Sequence, residues 1–223
     1  MKSLSLYLCF LIAIPIAVVM PQQKRNSHFT IARLKYSGGG DWYNDPSMIP
    51  NLLHYLGEQS TILPADDEVK VSLLDENLYA HPVLFMTGHG RITFTEREAE
   101  QLRNYLLGGG FLYADDDYGM DEFFRKEMTK VFPDKKFVEL PFSHPLFSTH
   151  FLFLNGLPKI HEHDGGAPKG FALFHESRMI VFYSFNTNIS DGWADPDVHG
   201  DPPAIREQAL QMGSNIIIYA LTQ

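Results

Sequence analysis

The stretch 82–119, "PVLFMTGHGRITFTEREAEQLRNYLLGGGFLYADDDYG", decides the fold. "PVLFMTG" (82–88) is a continuous apolar run of strand length, as in a strand covered on both faces. Thr95 and Glu98 make a T-x-x-E capping box, and Ala99, Leu102 and Leu106 follow at helical spacing. Gly108, Gly109 and Gly110 stop that helix, and "FLYAD" (111–115) is the next strand. Strand and helix in alternation indicate an α/β domain with a mainly parallel sheet.

The pattern continues outward. "HFTIARLKY" (28–36) alternates as a strand, "SGGGDWYND" (37–45) is a glycine-rich loop, and "VKVSLL" (69–74) is a short strand. Between them, Pro46 suits the first position of a helix running to about Glu58, with Asp45 as its cap. Downstream come a helix from about Met120 to Val131, the strand "KFVEL" and an irregular region, 141–170. "GFALFHESRMIVFYSF" (170–185) reads as a hairpin turning at Glu176-Ser177, and a final helix spans Ala204 to Leu221. Gly213 and the run Ile216-Ile217-Ile218 argue against that helix being unbroken. The expected architecture is a flavodoxin-like three-layer sandwich with a C-terminal β-hairpin and helix.

At 223 residues the chain suits one domain, assigned to 28–223. A net charge of −9 and the lack of any basic run argue against nucleic acid as a partner. "MKSLSLYLCFLIAIPIAVVM" (1–20) reads as a secretory signal peptide, followed by a polar linker (21–27). Its cleavage site is poor, so an uncleaved N-terminal anchor is the alternative. Either way the protein is expected to be exported, periplasmic or extracytoplasmic, touching membrane only through this segment. Cys9, the sole cysteine, lies within it, so the exported part has no disulfide, thiolate metal site or cysteine nucleophile.

In an open parallel sheet, ligands bind beyond the carboxyl ends of the strands. Three loops leave such ends here, bringing Gly39, Gly40, Asp41 and Trp42, then Gly88 and His89, then Asp115, Asp116 and Asp117 to one crevice. These are the candidate ligand-binding residues, with His89, Asp115 and Asp116 as candidate catalytic groups. Asp115 and Asp116 are also the candidate ligands of a divalent metal ion. The competing reading makes the aspartates the cap of the following helix. Two further clusters carry metal-ligand types. "KIHEHDGG" sets His161 and His163 on one face beside Asp164, as either a zinc or copper site or a polar turn. "DPDVHGD" offers Asp195, Asp197 and His199 as the start of a calcium loop, but Arg206 stands where the loop needs glutamate.

Taken together, "YSGGGDWY", "MTGHGRITFTEREAEQLRNYLLGGGFLYADDD", "SHPLF", "SDGW" and "REQALQMGSNIIIYAL" resemble a bacterial family catalogued as domain of unknown function 4159. The resemblance covers roughly residues 28–221 and implies a fold related to class I glutamine amidotransferases. It also implies that Asp115 or Asp116 stands where those enzymes carry a nucleophilic cysteine. A carboxylate cannot replace a thiolate in glutamine hydrolysis, so that activity is not expected. The resemblance further implies an exported or membrane-linked setting and, as in some members of that family, an association with von Willebrand-type and MoxR-type ATPase partners. Three functions stay open at this point. One is a non-catalytic module for a small ligand or membrane-associated protein partner. The others are a metal-assisted hydrolase using Asp115, Asp116 and His89, and a structural part of a membrane complex.

Overall fold

A computed structural model describes residues 28–161 and 165–223. The expected signal or anchor and its linker lie outside the described residues, as do His163 and Asp164. The described strands are β1 (Ala32–Lys35), β2 (Val69–Ser72), β3 (Val83–Met86), β4 (Phe111–Asp115), β5 (Val138–Glu139), β6 (Lys169–His175) and β7 (Arg178–Phe185). The helices are α1 (Met48–Gln59), α2 (Glu96–Leu107), α3 (Asp121–Val131), α4 (Pro196–His199) and α5 (Pro203–Thr222).

The strands form one sheet in the order β2-β1-β3-β4-β7-β6-β5. β2, β1, β3, β4 and β7 run parallel, whereas β6 pairs antiparallel with β7 and β5 antiparallel with β6. This is the α/β sandwich read from the sequence, with the C-terminal hairpin extending one side of the sheet. Alternation along each central strand feeds two cores. Leu84, Met86, Leu112 and Ala114 pack with Ala99, Leu102 and Phe124 of α2 and α3. Val83, Phe85, Phe111 and Tyr113 pack with Leu52, Met212 and Ile216 of α1 and α5.

The capping box forms as expected. Thr95 Oγ1 accepts from the Glu98 N–H at 3.2 Å, and Glu98 Oε2 accepts from the Thr95 N–H at 2.8 Å. Two helix expectations need correction. α1 begins at Met48, after Ser47, so Pro46 is outside it and Asp45 is not its cap. Asp45 instead adopts a positive φ of 42°, and its Oδ2 lies 2.9 Å from His199 Nε2. α5 runs unbroken through Gly213, because the missing side chain is what admits Trp193: a Cβ there would lie 2.7 Å from the indole Cζ2. Among the described residues no helix is long and apolar enough to cross a membrane.

Candidate functional site

The carboxyl ends of β1, β3, β4 and β7 open on one edge of the sheet, and their loops are tied together there. The Tyr36 hydroxyl donates to the Thr87 carbonyl at 3.0 Å, joining the loop after β1 to that after β3. Gly88 follows with φ +137°, and a Cβ on it would sit 3.0 Å from Asp41 Oδ1. Only glycine lets the chain approach Asp41 so closely in that conformation. Asp41 Oδ1 consequently accepts from the His89 N–H at 2.5 Å, while Oδ2 lies 3.0 Å from His89 Nδ1.

A second carboxylate, Asp117 Oδ2, lies 3.2 Å from the same imidazole nitrogen. Asp117 is buried and also accepts from the amides of Asn44 at 2.7 Å and Asn188 at 2.9 Å. The Asn188 amide donates in addition to Asp191 Oδ2 at 3.2 Å. Asp191 begins a 3₁₀ turn, Asp191–Trp193, in the long loop after β7. There His161 Nδ1 lies 2.8 Å from Asp191 Oδ2, and its Nε2 lies 2.8 Å from Asp201 Oδ1. His199, at the end of α4, places Nε2 4.0 Å from Asp191 Oδ1. Among the described residues, one His/Asp group has donor atoms converging within 4.8 Å of one another, and it is His161, Asp191 and His199.

The residues expected from the sequence divide. Asp41, Gly88 and His89 come together as described, and Gly40 joins them with its N–H donating to the Arg91 carbonyl at 2.9 Å. Gly39 is exposed beside them, and Trp42 packs partly buried against the α2/α3 core rather than facing a ligand. The three aspartates of the triplet take different places. Asp115 is fully buried, with Oδ1 accepting from the Ser184 hydroxyl and Oδ2 from the Ser190 N–H at 2.7 Å. Asp116 Oδ1 accepts from the Met120 N–H at 2.9 Å, just ahead of α3. Both carboxylates are thus occupied in holding loops and a helix start, and they do not share an ion-binding point with His89. Asp117 is the member of the triplet that reaches the imidazole. The calcium reading also fails, since Asp195 directly precedes α4, Asp197 and His199 lie on it, and Asp195 Oδ1 accepts from Asn51 at 2.9 Å.

A family model described as a domain of unknown function, DUF4159, matches residues 30–221. The chain belongs to the DUF4159 family. A search of curated proteins finds no match.

Beside Asp117 the DUF4159 domain has a cleft of about 360 Å³, lined by Asp117, Tyr118, Glu122, Phe123, Phe185 and Asn188 among others. The wall combines carboxylates with aromatic rings. Burial pushes the Asp117 carboxyl up to about 8, with Asp191 adding to the effect and His89 opposing it. Burial pulls His89 down, but the Asp117 and Asp41 carboxylates outweigh it and hold the imidazole above its ordinary value. For Asp41, burial is likewise outweighed, here by the N–H and ring of His89, and its pKa is lowered. His161 is pushed up to about 9, chiefly by its hydrogen bond to Asp191. Burial lifts Asp115 and Asp116 to about 6.

These shifts fix the sign of the pH dependence. A carboxyl raised from 3.8 to about 6 (Asp115, Asp116) or about 8 (Asp117) binds its proton more tightly when folded. Stability therefore falls as pH rises between the unfolded and folded values. His161 contributes stability that is full below 6.5 and is lost as pH climbs through about 9. Asp41 acts oppositely, but only below the ordinary carboxylate range. The DUF4159 domain should accordingly melt at a progressively lower temperature from pH 5 to pH 9. Asp117→Asn should flatten that decline, and a melting temperature rising over the same interval would contradict the assignment.

Proposed function

We propose that this DUF4159 chain is an exported binding module that takes a cationic organic group in the cleft beside Asp117. The group is an amine or guanidinium, carried by a small ligand or by a basic side chain of a membrane-associated partner. The observation that carries this reading is the pairing of Asp117 and Glu122 with the rings of Tyr118, Phe123 and Phe185 around one cleft. Carboxylates supply charge and acceptors, and aromatic faces attract a cation electrostatically. The domain already uses the same chemistry internally: the Arg125 guanidinium lies 4.4 Å from the Phe171 ring centroid. The net charge of −9 favours approach of a positive ligand. Export rests on the apolar segment 1–20 alone.

Calorimetric titration of the full chain with spermidine, agmatine and arginine tests the reading. Saturable binding of at least one probe is expected. Because Asp117 titrates at about 8, a cation bound against it should release a proton near neutral pH, seen as heats that depend on the buffer. Losing a hydrogen bond to a charged group costs about 1.5–3 kcal/mol, so Asp117→Asn or Glu122→Gln should weaken binding by about tenfold or more. The proposal fails if no probe saturates, or if both variants bind as the parent does.

A further inference from the structure

The group His161, Asp191 and His199 lies beyond the cleft, on the far side of Asn188, and nothing in the proposed cation binding requires it. Two of its members come from the separate sequence clusters "KIHEHDGG" and "DPDVHGD". Folding brings one histidine from each together across a buried aspartate. We propose that His161, Asp191 and His199 form a site for a divalent transition-metal ion of the zinc type, with Asp201 orienting the His161 ring.

Three observations support this. First, the donor atoms of the three side chains lie within 4.8 Å of one another. Zinc–ligand distances of about 2.1 Å put tetrahedral ligand atoms about 3.4 Å apart, so the group must close by up to about 1.4 Å at its widest. Second, Asp191 is only 4% exposed, and its Oδ1 is buried without a hydrogen-bond partner among the described residues. That oxygen faces His199 Nε2 at 4.0 Å. A buried, charged acceptor lacking a donor is costly, and a cation between it and the imidazole supplies what is missing. Third, His161 has a carboxylate partner of the kind that metal-bound imidazoles use. Asp201 Oδ1 lies 2.8 Å from His161 Nε2, while Nδ1 points at Asp191. With Asp201 holding the Nε2 proton, the lone pair of Nδ1 is directed at the ion. Asp45 Oδ2, 2.9 Å from His199 Nε2, is placed to supply a further oxygen on closure.

Ligand type selects the metal. Two imidazole nitrogens with carboxylate oxygen suit zinc and its first-row neighbours, whereas calcium and magnesium take all-oxygen sets. Binding must also displace protons, because the ion requires neutral imidazoles.

The test uses the full chain, stripped with chelator and then equilibrated separately with Zn²⁺ and Co²⁺. Elemental analysis after gel filtration should find one Zn²⁺ per chain, and Co²⁺ should give a visible absorption band. His199→Ala, a substitution at a partly exposed position, should abolish the band and the retained Zn²⁺ while the far-ultraviolet circular dichroism stays unchanged. Asp201→Asn keeps all three ligands and should weaken Zn²⁺ binding by about 10–100-fold. Excess Mg²⁺ or Ca²⁺ should not compete. The proposal is overturned if the parent retains no Zn²⁺, or if His199→Ala retains it undiminished. Loss on His54→Ala instead would also overturn it, by placing the ion at the exposed His54–Glu58 pair on α1. Spermidine binding is measured separately and survives or fails on its own.

Discussion

Arg33→Met lowers the melting temperature by roughly 6–20 °C, the shift expected when about 3–5 kcal/mol is lost from a chain of this size. Arg33 is a charged residue on a central strand, with only 1% of its side chain exposed, and its Nε lies 2.7 Å from the equally buried Glu68 Oε2. Its remaining donors reach the carbonyls of Trp42 at 3.3 Å, Asn44 at 2.9 Å and Asp45 at 3.3 Å. Methionine has similar bulk but leaves Glu68 charged and buried, with Lys70 at 3.2 Å as its remaining partner. It also leaves the Trp42 and Asn44 carbonyls without the guanidinium's donors, while the Asp45 carbonyl keeps the Met48 N–H at 3.1 Å. The loop so released carries Asp41, Asn44 and Asp45, so spermidine binding should weaken beyond what the stability loss explains. Replacing Glu68 as well, in Arg33→Met/Glu68→Met, should restore part of the melting temperature, because no buried charge is then left unpaired. A single variant that melts within 2 °C of the parent, well under the roughly 6 °C floor, would show that the pair is dispensable.

The second large effect belongs to Trp193. Trp193→Ala should cost about 3–5 kcal/mol, read as a lower midpoint in urea with an unchanged slope. The indole is buried against Phe85 and Tyr113, with ring centroids 5.4 Å and 5.9 Å away. Its N–H donates to the Ala209 carbonyl of α5 at 2.9 Å, and its own backbone carbonyl accepts from Asn51 of α1 at 2.8 Å. Trp193 thus pins the 3₁₀ turn bearing Asp191 between two helices and the sheet. Trp193→Phe keeps most of the apolar contact but loses the indole's hydrogen bond to the Ala209 carbonyl, which still accepts within α5, and should cost about 0.5–1.5 kcal/mol. Zn²⁺ retention should decline in the order parent, Phe, Ala. A midpoint unchanged in Trp193→Ala would contradict the packing described.

The fold was legible because its signals are local. The capping box at Thr95, the glycine stop at 108–110 and the apolar runs on either side all act within a few residues of themselves. The general rule for parallel sheets then located the edge at which Asp41, Gly88 and His89 meet. What sequence could not rank was the aspartate triplet. Asp115 is turned inward by Ser184 and Ser190, which are 69 and 75 residues away, so its fate depends on how β7 pairs with β4. The His161 group was hidden for the same reason. His161 meets Asp191 across 30 residues and Asp201 across 40, between irregular segments where no periodicity links one position to another. Asp45 misled because a capping residue type stood just before a proline, whereas tertiary pairing with His199 decided its conformation.

One side chain joins the two halves of this edge. The Asn188 amide, fixed by a backbone φ of 56°, donates to Asp117 on one side and to Asp191 on the other. It is shared between two acceptors, so a change of charge on either carboxylate alters its pull on the other. Occupancy at one end is then felt at the other as a coupling free energy, and such a coupling is necessarily reciprocal. An ion that drew Asp191 away from the amide would strengthen the amide's hold on Asp117 and ease its proton off. The pH at which a cation enters the cleft would then report whether the metal is in place.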